Sequence, residues 1–527
     1  MAHIELVIFG LLVAIAALAV LARLVRVPYP VTLVVGGAVI GFLPGVPSVE
    51  LDPELVLLIF LPPLLYGAAF FTSVRDLRRN AKPIAMLSIP LVLVTMAAVA
   101  VLAHQVVGLA WGPAFVLGAI VSPTDAVAPA EIMRRIGAPR RLITIVEGEN
   151  LTNDWTALVL YRFAIAAVVT GEFSAWEAIP KFIGTGVGGV ALGLVVGRII
   201  REVRARIDDP PTEITISILS GYAGYLPAEE LGLSGVIAAV TVGLYMGWHT
   251  PQLTTPLMRL QGVAIWEILT FILNAVLFLL VGLQLPTVLD GLSGNTAGEL
   301  ILWALLVSGV VIVVRLLWMS LIPYAVRMSD RRISQEPLPT RAPPAERLIV
   351  GWAGMRGSVS LAAALAIPLL TDAGDPFPDR GLVVFLAFSV ILVTLVGQGL
   401  TLGPLITRLG VVDDGIEERE ERVARQRVAE AGLARIEELG APDWIKSESV
   451  ERARMMLDYR RRRFGALVEG DGDGYEANTS AWRRLMYELY DAQREELVGL
   501  RNRGDISDEV RRRIERDLDL EQSRLEN

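Results

Sequence analysis

Two pairs of adjacent polar residues stand where a chain this apolar should carry none. Asn153-Asp154 lies inside an apolar run from Leu142 to Val169, and Thr124-Asp125 inside another that ends near Met133. Runs of that length can span a bilayer. Ionisable side chains inside such a span are costly; they face a protein interior or a watery cavity and mark ion or proton paths. A buried carboxylate such as Asp154 holds either a proton or a small cation, because desolvation favours protonation and a bound cation favours the ionised form. A group that must hold one or the other couples their movements by competition. With Asp154 alone titrating, exchange of one proton for one monovalent cation is electroneutral; titration of Asp125 as well would change the stoichiometry. Asn153 adds an amide that positions its neighbours without adding charge.

Thr124-Asp125 supplies a hydroxyl, a second carboxylate and backbone carbonyls freed by an interruption. Oxygen ligands suit hard cations, and two carboxylates are too few for a dedicated divalent cage. The expected ion is therefore Na+, Li+ or K+ rather than Ca2+, held at Asp154, Asp125 and Thr124. Arg315 sits in the middle of Val311-Ile312-Val313-Val314-Arg315-Leu316-Leu317 and needs a partner; Glu149 is the expected one. Arg356, in Gly354-Met355-Arg356-Gly357, either offsets the C-terminal dipole of a half-helix or screens the site's negative charge. Both arginines read as ion-pair members before direct ligands. Glu147 and Arg162 are expected to pair within the bundle. Glu267 and Asn274, seven apart on one helix face, fit either the site or contacts between helices.

The elements that carry these residues follow from composition. The chain has 527 residues, of which 53% are hydrophobic, and a mean hydropathy of +0.53; this is a polytopic membrane protein. It has no cysteine, which excludes disulfides and thiol chemistry. Its three histidines, His3, His104 and His249, fall near span ends and do not form a metal cluster. Apolar runs predict about thirteen transmembrane helices near 4–24, 31–46, 53–72, 83–104, 112–133, 141–169, 178–203, 212–228, 231–249, 261–286, 298–327, 346–370 and 379–408. The eighth, with Glu213, is the weakest. Basic loops (Arg23, Arg26; Arg75, Arg78, Arg79, Lys82; Arg134, Arg135, Arg140, Arg141; Arg198, Arg201, Arg204, Arg206; Arg327, Arg331, Arg332, Arg341) alternate with acidic ones (Glu50, Asp52, Glu54; Glu172, Glu177; Glu229, Glu230; Asp372, Asp375). The positive-inside rule then puts the N-terminus outside and the C-terminus in the cytoplasm, across the inner (plasma) membrane.

Span 5 is interrupted at Ser122-Pro123-Thr124-Asp125, with Pro129 just beyond, and span 12 at Gly351 to Ser358. Seven spans apart, the two would run in opposite directions, the pattern of inverted repeats pairing spans 1–6 with 8–13 around a midplane site. The glycines from Gly184 to Gly197 suit close helix packing. Residues 1–411 form the membrane domain. Residues 412–527 turn strongly charged and read as a soluble, helical cytoplasmic tail broken near Asp471-Gly472-Asp473-Gly474; it regulates, stabilises a dimer, or is a solvated appendage.

These motifs resemble a sodium/proton antiporter of the cation/proton antiporter superfamily, in the branch of bacterial NhaP-type and animal NHE-type exchangers. The matching pieces are Phe60-Leu61-Pro62-Pro63-Leu64-Leu65, Ser122-Pro123-Thr124-Asp125-Ala126-Val127, Glu147-Gly148-Glu149-Asn150-Leu151-Thr152-Asn153-Asp154, Arg315 and Gly354-Met355-Arg356-Gly357. The resemblance covers about residues 5–410. It implies thirteen spans, a homodimer, and crossed broken helices 5 and 12 beside the ion site. It also implies that Asp154 is the cation- and proton-binding carboxylate with Asn153 its neighbour, that Thr124 and Asp125 are ligands, and that Glu149 and Arg315 are a stabilising ion pair. Arg356 matches a motif arginine, and Asn-Asp in place of Asp-Asp is similar to the electroneutral members. Two positions depart from the pattern: Asn150 replaces a serine ligand by an amide, and Gly67 stands where some bacterial members carry a glutamate near the cation path. The expected activity is antiport of Na+ (or Li+) for H+, with no cofactor, no enzymatic reaction and no nucleic acid, in pH and Na+ homeostasis. K+/H+ exchange is the near alternative. An intramembrane aspartyl protease is disfavoured because its Gly-x-Gly-Asp motif occurs only at Gly470-Asp471-Gly472-Asp473 in the tail. A channel or sensor would lack obligatory coupling to protons.

Overall fold

The computed structural model describes all residues except 1, 26, 45–52, 172–174, 291, 293–295, 330–342, 412, 414, 441–443, 470–472 and 527. Arg26, Glu50, Asp52, Glu172, Arg331, Arg332, Arg341 and the tail break at 470–472 therefore lie outside the described residues, as do the side chains of His3, Glu54, Glu177 and Arg327. The chain divides into two compact units, Met1–Asp413 and Asp414–Asn527. Both are helical; among the described residues the one β feature is a single bridge between Leu370 and Pro376.

Among the described residues of the first unit, five helices are long and apolar enough to cross a membrane: Ala81–Val107, Pro180–Arg204, Pro256–Leu289, Ala297–Leu321 and Arg380–Leu409. The others are shorter, interrupted or carry more charge. Two interruptions matter most. The helix Trp111–Val121 stops and Val127–Ile136 begins, leaving residues 122–126 as a first break. Likewise Pro344–Trp352 stops and Ser358–Leu365 begins, leaving residues 353–357 as a second. Between them in the sequence runs the site helix, Arg140–Thr170, unbroken over 31 residues and so about 46 Å long. It starts after Pro139 and ends at Gly171, whose φ of 74° suits a residue without Cβ.

The rest of the bundle is drawn close by small residues. A Cβ on Gly189 would fall 2.8 Å from the Ser234 carbonyl oxygen, and one on Gly193 2.8 Å from that of Ala238. The helix Ala175–Arg204 therefore lies directly on the backbone of Gly235–Leu253. The weakly apolar stretch at 212–228 is a full helix, Pro210–Glu230, capped by Asp209. Its Glu213 is tolerated because it forms a buried ion pair with Arg204. Arg204 thus leaves the group of loop cations to which its position in the sequence assigns it.

The second unit contains the helices Ile416–Leu439, Ser447–Glu469, Asp473–Arg503 and Asp508–Glu526. Exposed pairs one turn apart, such as Arg422–Glu418 and Arg425–Glu421, lace their surfaces.

Candidate functional site

Breaking a helix frees carbonyls at the end of the first half and N–H groups at the start of the second. In lipid each must find a partner. Here the two breaks supply partners to each other. The Asp125 amide donates to the Met355 carbonyl oxygen at 2.7 Å. Asp125 Oδ1 accepts from the Val127 amide at 2.8 Å, which caps Val127–Ile136. Its other oxygen, Oδ2, lies where a Cβ on Gly357 would be, only 1.6 Å from that position. Gly357 immediately precedes Ser358–Leu365. A single carboxylate therefore sits against the positive ends of two half-helices.

Arginines serve the negative ends. Arg356 Nε donates to the Val121 carbonyl oxygen at 2.9 Å, at the end of the first break's leading half-helix, and Nη1 donates to the Gly354 carbonyl. Its backbone amide donates to Thr394 Oγ1 at 3.1 Å. Of the two roles open to Arg356, the dipole role is the one its contacts display. Arg315 Nε donates to the Gly351 carbonyl oxygen at 3.1 Å and Nη2 to that of Val350 at 3.0 Å, at the end of Pro344–Trp352. The same guanidinium grips Glu149 with both Nη atoms, Nη2 to Oε2 at 2.7 Å. Arg315 and Glu149 are each 1% exposed, so neither could remain charged without the other. Gly354 leaves room for the arginine: a Cβ there would come 2.2 Å from Arg315 Cδ.

Glu149 and Asn153 are one turn apart on the site helix and share a face. Thr124 joins them. Its hydroxyl donates to Glu149 Oε1 at 3.1 Å and accepts from Asn153 Nδ2 at 2.8 Å. Thr124 is thereby tied into a chain running from Asn153 to Arg315, a role its residue type alone does not announce. The Asn153 Oδ1 is buried with no partner. Next to it, Asp154 is 2% exposed.

Asp154, Asp125, Thr124 and the half-buried Asn150 line one cavity of about 720 Å³. The cavity runs to Glu131, Arg134 and Glu147, at the basic end of the bundle, and Glu267 and Asn274 also line it. Tyr29 and Glu131 are lining residues that sequence reading missed; the one available signal was a further carboxylate, Glu131, six residues after Asp125. Gly67 faces Trp266, whose ring would stand 3.0 Å from a Cβ there. Trp266 in turn donates its indole N–H to Ser217 Oγ at 3.1 Å. Glu147 and Arg162 both pair, with different partners: Glu147 with Arg134, and Arg162 with Glu229 at 2.7 Å. Among the described residues, no group of three His, Cys, Asp or Glu side chains gathers as a metal centre.

Apolar membrane-spanning helices, broken around a buried set of acids and arginines, define an integral membrane transporter rather than an enzyme. The family described as sodium/hydrogen exchanger, transmembrane, matches residues 10–408, and the chain belongs to that family. It is 37% identical to an uncharacterized Na+/H+ exchanger of Mycobacterium bovis, over 98% of this chain and 96% of that one. It is 32% identical to the Na+/H+ antiporter ApNhaP of Aphanothece halophytica, over 85% and 82%. A sodium, potassium, lithium and rubidium/H+ antiporter of Bacillus subtilis is 30% identical over 96% and 76%. Among solved structures, the sodium proton antiporter MjNhaP1 of Methanocaldococcus jannaschii shares the fold, with a TM-score of 0.61 over 77% of this chain and 99% of that one at 21% identity. The activity is cation/proton antiport, and it calls on no cofactor.

Proposed function

We propose that this protein exchanges Na+ (or Li+) for H+ electroneutrally, with cation and proton competing for Asp154 under alternating access. One observation carries the reading: Asp154 lies at the cavity among the buried charges around the two breaks. When all are ionised, the acids Asp125, Glu149 and Asp154 exceed the arginines Arg315 and Arg356 by one negative charge. One proton or one monovalent cation restores neutrality. Glu149 is committed to Arg315 and Asp125 to two helix ends, which leaves Asp154 as the exchanging group. Thr124, Asp125 and Asn150 line the same cavity and offer further oxygens for the ion, and Asn153 beside Asp154 is tied to Thr124.

The wider assignment is thirteen spans in two inverted repeats, a homodimer in the inner membrane surrounded by lipid, and a cytoplasmic tail that regulates it or stabilises the dimer. Each of the thirteen apolar runs overlaps a helix or a pair of half-helices, which supports that count. The reciprocal bonding of the two breaks supports the repeat. K+/H+ exchange is the second reading, favoured by the ion range in the name of the Bacillus subtilis relative.

The test is proton flux in proteoliposomes with an internal pH dye, adding Na+, Li+ or K+ in turn. Flux that follows one cation and ignores a clamped potential is expected, and Asp154→Asn should reduce it to background while the protein still inserts. Undiminished exchange in that variant would sink the proposal. A flux that tracks the clamp would point to a second titrating group, Asp125 first.

A further inference from the structure

The cavity separates two groups of helices. Leu61, Leu64, Gly67 and Trp266 line one wall, on Pro53–Phe71 and Pro256–Leu283. Asp125, Asp154 and Val359 line the other, on the two breaks and the site helix. Along the site helix the lining ends at Asp154; nothing beyond it borders the cavity. Within the next turn, Trp155 and Leu158 pack against Leu61, Leu65, Tyr225 and Val236, an apolar plug between the site helix and Pro53–Phe71, Pro210–Glu230 and Gly235–Leu253. Beyond the plug comes a charged tie. Arg162 on the site helix donates to Glu229 Oε2 at 2.7 Å, and it stands about 12 Å along the axis from Asp154. Glu229 is itself anchored, because its Oε1 accepts the Gly235 amide at 3.0 Å and so holds the start of Gly235–Leu253.

We infer that Arg162 and Glu229 form the latch of the far gate: their ion pair holds the plug shut while Asp154 is open to the basic end, and it must part before Asp154 opens to the opposite side. The inference rests on the antiport reading of the same site, and it assigns these two residues a positioning role with no contact to the ion. Their side chains are 53% and 25% exposed. A pair so placed contributes little to overall stability. As a bias on a two-state equilibrium, however, even a small differential interaction shifts the populations. A partly exposed pair is of the right strength for a tie that must break in every cycle.

Because the chain has no cysteine, single cysteines report accessibility without background. Leu158→Cys marks the plug and Ala68→Cys marks the cavity wall. Each would be labelled with a membrane-impermeant maleimide, the first from the far side and the second from the cavity side, in the full-length protein. Glu229→Gln keeps an oxygen for the Gly235 amide and removes only the charge; Arg162→Gln removes the other half of the pair. In both backgrounds the far-side labelling rate at Leu158→Cys is expected to rise up to about fivefold, while labelling at Ala68→Cys does not rise. No change at Leu158→Cys in either background overturns the latch. A rise at both cysteines also overturns it, since that is general loosening. Neither readout requires cation flux, so a failure of the Asp154 mechanism and a failure of the latch are separable.

Discussion

The two breaks solve one physical problem with opposite charges. Each must satisfy a pair of helix ends within the bundle. The first break brings an acid, Asp125, which serves the N-terminus of its own second half and lies against Gly357 at the start of the other. The second brings a base, Arg356, which reaches back to the carbonyl of Val121 at the end of the first break's leading half. Its own leading half is finished by Arg315 from Ala297–Ser329, and that arginine alone carries a carboxylate partner. The difference teaches where strength and function are divided. The Glu149–Arg315 pair is bonded through both carboxylate oxygens and all three guanidinium nitrogens, which is the pattern of a structural fastening. Arg356 bonds backbone carbonyls at two helix ends, and Asp125 lines the cavity.

The sharpest way to break that contrast is Glu149→Gln. Leaving Arg315 charged and buried without its carboxylate should cost about 3–5 kcal/mol. Thermal unfolding in detergent would read this as loss of most folded protein, and an unchanged midpoint would place Arg315 elsewhere. Arg356→Met should cost less, about 1–3 kcal/mol, because it strands carbonyls rather than a charge. The same assay checks it, and a loss as large as that of Glu149→Gln would erase the distinction between the two arginines. Gly357→Ala should cost about 1–3 kcal/mol, since the added Cβ would meet the Cβ of Asp125 at 2.6 Å as well as its carboxylate, so Asp125 and its bond to the Val127 amide must shift. A weaker apparent cation affinity in proteoliposomes is expected beside the lowered unfolding midpoint, and an unchanged midpoint would mean that the two breaks are less closely fitted there.

What the sequence made legible here follows from cost. A charge in an apolar run is expensive wherever it points, so Asp154, Asp125, Arg315 and Glu149 stand out without any knowledge of the fold, and so do the prolines and glycines of the breaks. Choice of partner is a different matter, because it depends on which helices end up side by side. Thr124 reads in the chain as an ion ligand, and nothing there announces that its hydroxyl also donates to Glu149 and accepts from Asn153. Arg204 looks like a loop cation and lies buried against Glu213. Arg162 gives no hint of Glu229, 67 residues away. The π-helical turns at Ala103–Val107 and Val393–Gln398 likewise carry no signal in the hydropathy pattern.

The bond from the Asp125 amide to the Met355 carbonyl has a consequence for biogenesis. Residue 355 leaves the ribosome about 230 residues after residue 125, which at ordinary rates of synthesis is on the order of ten seconds or more. Through that interval the first break has neither the Met355 carbonyl nor the Arg356 guanidinium to complete it. The segment around Thr124 is therefore expected to reach its final seating late, after residue 355 has been made. A nascent chain halted before residue 355 would then expose this segment, while the apolar helices before it are already in place.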